Sequence, residues 1–220
     1  MSDHKSVKKT ELSRRKKALR RTAAALALVF FMVLTNLYGF LPIQALRNQE
    51  DRSGVRRTET LRRDYLPQVH PFTLFYLSCN EDVVMLTSMR WNLLGGWYPV
   101  YAPVLDCDGS EPVVIGEYSV TYSDLDRYIV YVFGCVSDPD IASLQLSVTD
   151  LARDPNGISD TCQVTEFLEA EGHRVFAHPF LLSFEDARER RIKVHADTYR
   201  QDGGWIRGFE VPWSGSTSMG

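Results

Sequence analysis

Between Arg21 and Arg47 the chain runs for 25 residues without a charge, TAAALALVFFMVLTNLYGFLPIQAL. An α-helix rises 1.5 Å per residue, so about 20 residues cross a hydrocarbon layer of ~30 Å. A core helix of this length would normally keep a polar face, and this run has none. The expectation is a transmembrane helix over residues 22–46, with Tyr38 at an interface and Pro42 near the far end. The competing reading is a cleaved signal peptide. Its apolar stretch would exceed the usual ~7–15 residues, and a cut after Ile43-Gln44-Ala45 would put bulky Ile where a small residue is preferred.

Charge is divided around this run. Residues 1–21 carry nine Lys/Arg against Asp3 and Glu11, whereas residues 65–220 carry ten Lys/Arg against twenty-two Asp/Glu. Six Arg follow the run closely: Arg47, Arg52, Arg56, Arg57, Arg62 and Arg63. Nine basic residues before the span against six after it predict residues 1–21 as a cytoplasmic tail and the remainder as extracytoplasmic. The lipid bilayer is then the first partner, met through residues 22–46. An acidic main domain lacks the basic surface that nucleic-acid binding requires. Residues 47–64 are polar and charge-dense, and read as a juxtamembrane linker.

From Tyr65 onward short alternating runs rich in Val, Ile, Tyr, Phe and Thr are broken by turn residues. In the segment 141–150, Leu144, Leu146 and Val148 alternate with Gln145, Ser147 and Thr149, the period of a half-buried strand. Hairpins are expected at Glu171-Gly172 and across Gln201-Asp202-Gly203-Gly204, a tight turn at Asp108-Gly109, and a short helix over 183–191. Nine or ten such strands predict a mainly β domain over 65–213. Its expected form is an immunoglobulin-like β-sandwich, with a frayed end at 214–220.

Four cysteines, Cys79, Cys107, Cys135 and Cys162, are disulfide candidates in an exported domain, with three pairings open. No two stand two to four residues apart, so no metal site is expected. Trp91, Trp97, Tyr98 and Tyr101 surround Gly95-Gly96. They read either as a plug at one end of the sandwich or as an aromatic platform for a ligand. The histidines show no HExxH spacing and no serine sits in a glycine-flanked elbow, so no catalytic residue and no cofactor is assigned. GCVSDPDIASLQLSV (134–148) and VTEFLEAEGHRVFA (164–177) resemble elements of uncharacterised, single-span, membrane-anchored β exodomains of Gram-positive bacteria. That resemblance implies a β-domain outside one anchor and no activity.

These features point first to a non-enzymatic extracytoplasmic binding or sensing module, with an envelope polymer or a membrane protein as candidate partner. The alternatives are a regulatory or assembly subunit that contacts its partner through the basic tail, and an envelope hydrolase using Asp106, Asp108 and Glu117.

Overall fold

The computed structural model describes residues 3–34, 39, 41–66, 71–93, 96–122, 127–150, 159–183, 192–211 and 216–219. Among the described residues two helices, α1 (Asp3–Leu34) and α2 (Pro42–Ser53), precede fourteen strands. The strands are β1 (Glu59–Tyr65), β2 (Thr73–Cys79), β3 (Val83–Asn92), β4 (Gly96–Tyr101), β5 (Val104–Asp106), β6 (Val113–Tyr122) and β7 (Arg127–Val136). They continue as β8 (Ser143–Asp150), β9 (Ser159–Val164), β10 (Leu168–Ala170), β11 (His173–Ser183), β12 (Ile192–Tyr199), β13 (Trp205–Val211) and β14 (Ser216–Met219). The short helix expected over 183–191 falls largely outside the described residues.

The strands form three sheets. A proximal sheet runs β1-β2-β3-β4, with β5 also on β3; a central sheet runs β10-β11-β7-β6-β14; a distal sheet runs β13-β12-β8-β9. Two hydrophobic cores explain the stacking. Phe75, Leu77, Val84 and Leu86 of the proximal sheet pack against Tyr118, Ile129, Tyr131 and Phe133 of the central one. Val130, Val132, Phe176 and Phe180 on the other face of the central sheet pack against Leu144, Leu146, Val148 and Val194 of the distal one. The central sheet is therefore buried on both faces, which is why β7 reads as an almost unbroken apolar run. The mainly β, sandwich-like architecture matches the expectation. The layer count does not: three sheets stand where an immunoglobulin-like sandwich has two.

The alternation read in 141–150 is β8, with Leu144, Leu146 and Val148 buried. The Glu171-Gly172 turn joins β10 to β11 with φ of 49° and 81°, the left-handed pair that a two-residue hairpin needs. The second hairpin joins β12 to β13. Instead of fraying, residues 216–219 add β14 beside β6 in parallel.

The N-terminal region departs most from expectation. No helix among the described residues is long and apolar enough to cross a membrane. Within the described α1 the uncharged part runs only from Thr22 to Leu34, about 20 Å of helix. Residues 42–46, expected at the end of a span, instead begin α2, with Pro42 in its first turn and Gly54 as its left-handed C-cap. Ala45 and Leu46 are fully buried against Leu74, Tyr76, Met85 and Met89, on the face of the proximal sheet that the central sheet leaves free. Residues 47–64, expected as a linker, are thus folded structure: most of α2 and nearly all of β1.

A buried carboxylate locks this region. Glu50 has no exposed surface. Its Oε1 accepts from Thr58 N at 3.0 Å, Thr58 Oγ1 at 2.6 Å and Arg47 at 2.5 Å, and its Oε2 accepts from Arg57 at 2.9 Å. Burial alone would raise its pKa. The Thr58 hydroxyl, the Arg57 guanidinium, the Thr58 amide and the Arg47 charge outweigh burial and hold the carboxyl below its ordinary value.

Candidate functional site

The four aromatic residues proposed as a platform do not share a surface. Trp91 and Trp97 pair directly across β3 and β4. Trp97 packs with Met85 and Met89 on the α2 side of the proximal sheet. Tyr98 is the next residue along the strand and so points the other way. Tyr101 stacks on Tyr118 of the central sheet with ring centroids 5.1 Å apart. Two rings therefore serve each side.

Of the four cysteines, Cys107 and Cys135 form a disulfide, and Cys79 and Cys162 are free. The bridge ties the end of β5 to β7 and so staples the proximal sheet to the central one. Cys79 is buried among the same core residues, and burial, followed by Glu59 and Glu171, pushes its thiol up to about 11. Cys162 on β9 lies 3.3 Å from Nδ1 of His178 on β11. Burial raises that thiol. Burial first, then Arg62, lowers that imidazole against the opposing pull of Asp64. Both groups are therefore favoured in their neutral forms, the reverse of a thiolate–imidazolium nucleophile.

The acids considered for hydrolysis are also separated. Asp106 and Asp108 are exposed at the end of β5 and its turn. Glu117 is buried in β6, on the face where Val113 and Ile115 pack toward the distal sheet. Among the described residues no three His, Cys, Asp or Glu side chains stand close enough to hold a metal ion.

The outward face of the distal sheet does converge. On β12 the inward residues Val194, Ala196 and Thr198 are buried, which turns His195, Asp197 and Tyr199 outward. Trp205, at the start of β13 and 60% exposed, donates its indole N–H to Asp197 Oδ1 at 3.0 Å. His195 Nε2 lies 3.2 Å from the same oxygen. Beneath them is Gly208, where a Cβ would come within 3.0 Å of Asp197 Oδ1 and 3.1 Å of the His195 ring. Glycine there makes room for the carboxylate that fixes the indole. Tyr199 donates to Gln145 Oε1 at 3.1 Å, and Gln145 pairs in register with Gln163 of β9.

Beside this cluster runs an open depression of ≈ 430 Å³, lined by Ser143, Gln145, Thr161, Gln163, Tyr199 and Gly203. It continues into a second of ≈ 650 Å³ that reaches Thr165, Glu169, Arg174 and Arg200. Arg174 is held by the carbonyls of Ile141 and Asp138 and lies 5.2 Å over the Phe167 ring. The trough is wide and shallow; amides and hydroxyls line it together with Cys162, the apolar Ile141 and Phe167, and the charged Glu169, Arg174 and Arg200. A compact apolar ligand needs an enclosed apolar pocket; an extended hydrated ligand fits this shape better. Sequence reasoning missed the site, although the outward His195, Asp197, Tyr199 row was readable as a period-two pattern.

Compared with family models, curated proteins and solved structures, the chain matches none of them. The resemblance to Gram-positive exodomains rests on its two motifs alone.

Proposed function

We propose that this chain is a non-enzymatic binding module, anchored in a membrane through the uncharged stretch of sequence that follows Arg21, that takes an extended polyhydroxylated ligand of the glycan class in the trough of the distal sheet. The observation that carries this reading is the exposed Trp205 plane, held by Asp197 beside the Tyr199–Gln145 pair. Sugar rings present C–H faces to such planes and hydroxyls to amides, and a plane already fixed loses little freedom on binding. Arg174 and Arg200 at the far end would favour an anionic substituent.

Several features support the address. The uncharged sequence after Arg21 and the basic tail before it fit a single anchor with the tail inside. The Cys107–Cys135 disulfide fits an oxidising, extracytoplasmic compartment. The proximal and central sheets, with a bridge between them, are the pair closest to an immunoglobulin-like sandwich.

The test is calorimetric titration of the full chain in lipid nanodiscs with soluble envelope glycan fragments. Saturable binding that Trp205→Ala and Tyr199→Ala each weaken by roughly 3- to 10-fold is expected, since stacking contributes roughly 0.5–1.5 kcal/mol beyond area burial. Binding unaffected by both substitutions, or steady hydrolysis of the fragments, would refute it.

A further inference from the structure

One end of the proximal sheet carries an apolar rim. Phe72 lies just before β2, and its ring tilts against Trp91 with centroids 5.5 Å apart. Leu93, just past β3, is 80% exposed, Leu41 is 58% exposed and Phe72 is 48% exposed. Trp97 stands opposite Trp91 at the start of β4. Clustered exposed apolar side chains of this kind mark a contact surface.

The rim is also where the chain enters the folded domain. Gly39 donates to the Trp97 carbonyl at 2.9 Å and accepts from the Trp97 amide at 2.8 Å. A Cβ at Gly39 would meet the backbone of Ala45 at 2.7 Å and of Leu41 at 2.9 Å, so the chain is clamped there. Gly39 and the chain from Leu41 on belong to the domain, which leaves a sequence length of seventeen residues, 22–38, between Arg21 and the clamp. Seventeen residues make ~25 Å of helix, short of a ~30 Å hydrocarbon layer. Snorkelling of Arg20 and Arg21 recovers part of the difference from the other side. The rest brings Gly39 and Trp97 down to the hydrocarbon boundary.

We infer that the rim of Phe72, Trp91, Leu93, Trp97 and Leu41 rests in the headgroup layer of the bilayer that holds α1, so that the domain is seated on the membrane instead of standing off on a stalk. The inference rests on the anchor reading above. Aromatic and apolar side chains at this depth gain the partial burial that interfacial belts exploit.

The experiment uses the full chain in proteoliposomes with lipids brominated on the upper acyl chain, which quench nearby indoles. W205F/W213F retains Trp91 and Trp97, whereas W91F/W97F/W213F retains Trp205. Quenching at least about twofold stronger in the first variant is expected, as an interfacial belt requires. A flexible Gly/Ser spacer of about six residues inserted between 38 and 39 should reduce it toward the Trp205 level. Equal quenching in vesicles that retain the chain through an alkaline carbonate wash would overturn the seating and leave the anchor standing. Loss of the chain in that wash would overturn both.

Discussion

Glu50→Gln isolates the contribution of one charge to the docking of α2. The substitution preserves size and can keep Oε1 in place as an acceptor for Thr58 and Arg47. The atom that accepted from Arg57 becomes an NH2 group facing a guanidinium. Hydrogen bonds to charged groups contribute roughly 1.5–3 kcal/mol, and a broken buried ion pair costs roughly 3–5 kcal/mol. Arg47 and Arg57 are partly solvated and regain water when released, so about 2 kcal/mol is the expected loss. With a urea slope of about 2 kcal/mol/M, the midpoint should fall by about 1 M. The pH dependence follows from the depressed carboxyl. A carboxylate whose folded pKa lies below its unfolded value stabilises the fold above the unfolded pKa, and that contribution is lost as pH falls through the folded one. The gap between wild type and Glu50→Gln should therefore be full above about pH 5 and narrow in more acidic solution. Urea unfolding of the full chain in detergent micelles, followed by far-UV circular dichroism across pH, measures both. A midpoint shift below about 0.3 M at pH 7, or a gap that persists unchanged in acid, would refute the charge-based clasp.

Other outcomes follow from the same geometry. Cys107→Ser should destabilise by about 3–4 kcal/mol through the unfolded chain, given the 28-residue separation of the bridged cysteines, read as a lowered denaturation midpoint. In the native, unreduced chain a thiol reagent at pH 8 should modify Cys162 slowly and Cys79 hardly at all, because Cys79 is buried with its thiol near 11; peptide mass spectrometry checks both. Gly208→Ala should displace the Asp197 carboxylate and free the Trp205 indole, giving a red-shifted or broadened indole emission and glycan binding weakened about 10-fold, with a stability cost near 1 kcal/mol.

How far the sequence disclosed this molecule depends on whether a signal was local. The strand β8 and the hairpins at Glu171-Gly172 and 201–204 were legible because alternation and turn chemistry are contained within a few residues. The third sheet was not, because sheet membership depends on register between distant segments. The double-faced burial of β7, from Ile129 to Phe133, was the one local hint. Helix α2 was hidden because its burial is narrow: Ala45, Leu46 and Glu50 touch the sheet, and the other positions are polar enough to resemble a linker. Pro42 and Gly54 did mark its ends, but the apolar run before it drew Pro42 into the span. The aromatic platform failed on elementary geometry, since adjacent Trp97 and Tyr98 in a strand cannot face one way. The trough was obscured because its residues come from β8, β9, β12 and the β12–β13 turn.

The stacking order bears on whether the proposed module would sense or simply hold a ligand. An anchor of the kind proposed would enter against the outer side of the proximal sheet, where α2 packs, and the trough lies on the outer side of the distal one. Packed sheets stand ~10 Å apart, so the two faces are separated by ~20 Å and two complete cores. The sheet between them is buried on both faces by Val130, Val132, Phe176 and Phe180 on one side and Ile129, Tyr131, Phe133 and Val175 on the other. A ligand can bias an anchor only through an element with two arrangements of nearly equal energy. Close-packed interdigitated cores disfavour such sliding, and the Cys107–Cys135 bridge staples the proximal interface further. On the proposed reading, this architecture favours binding over sensing: a rigid module whose distal face would lie away from the membrane and whose anchor would be indifferent to occupancy.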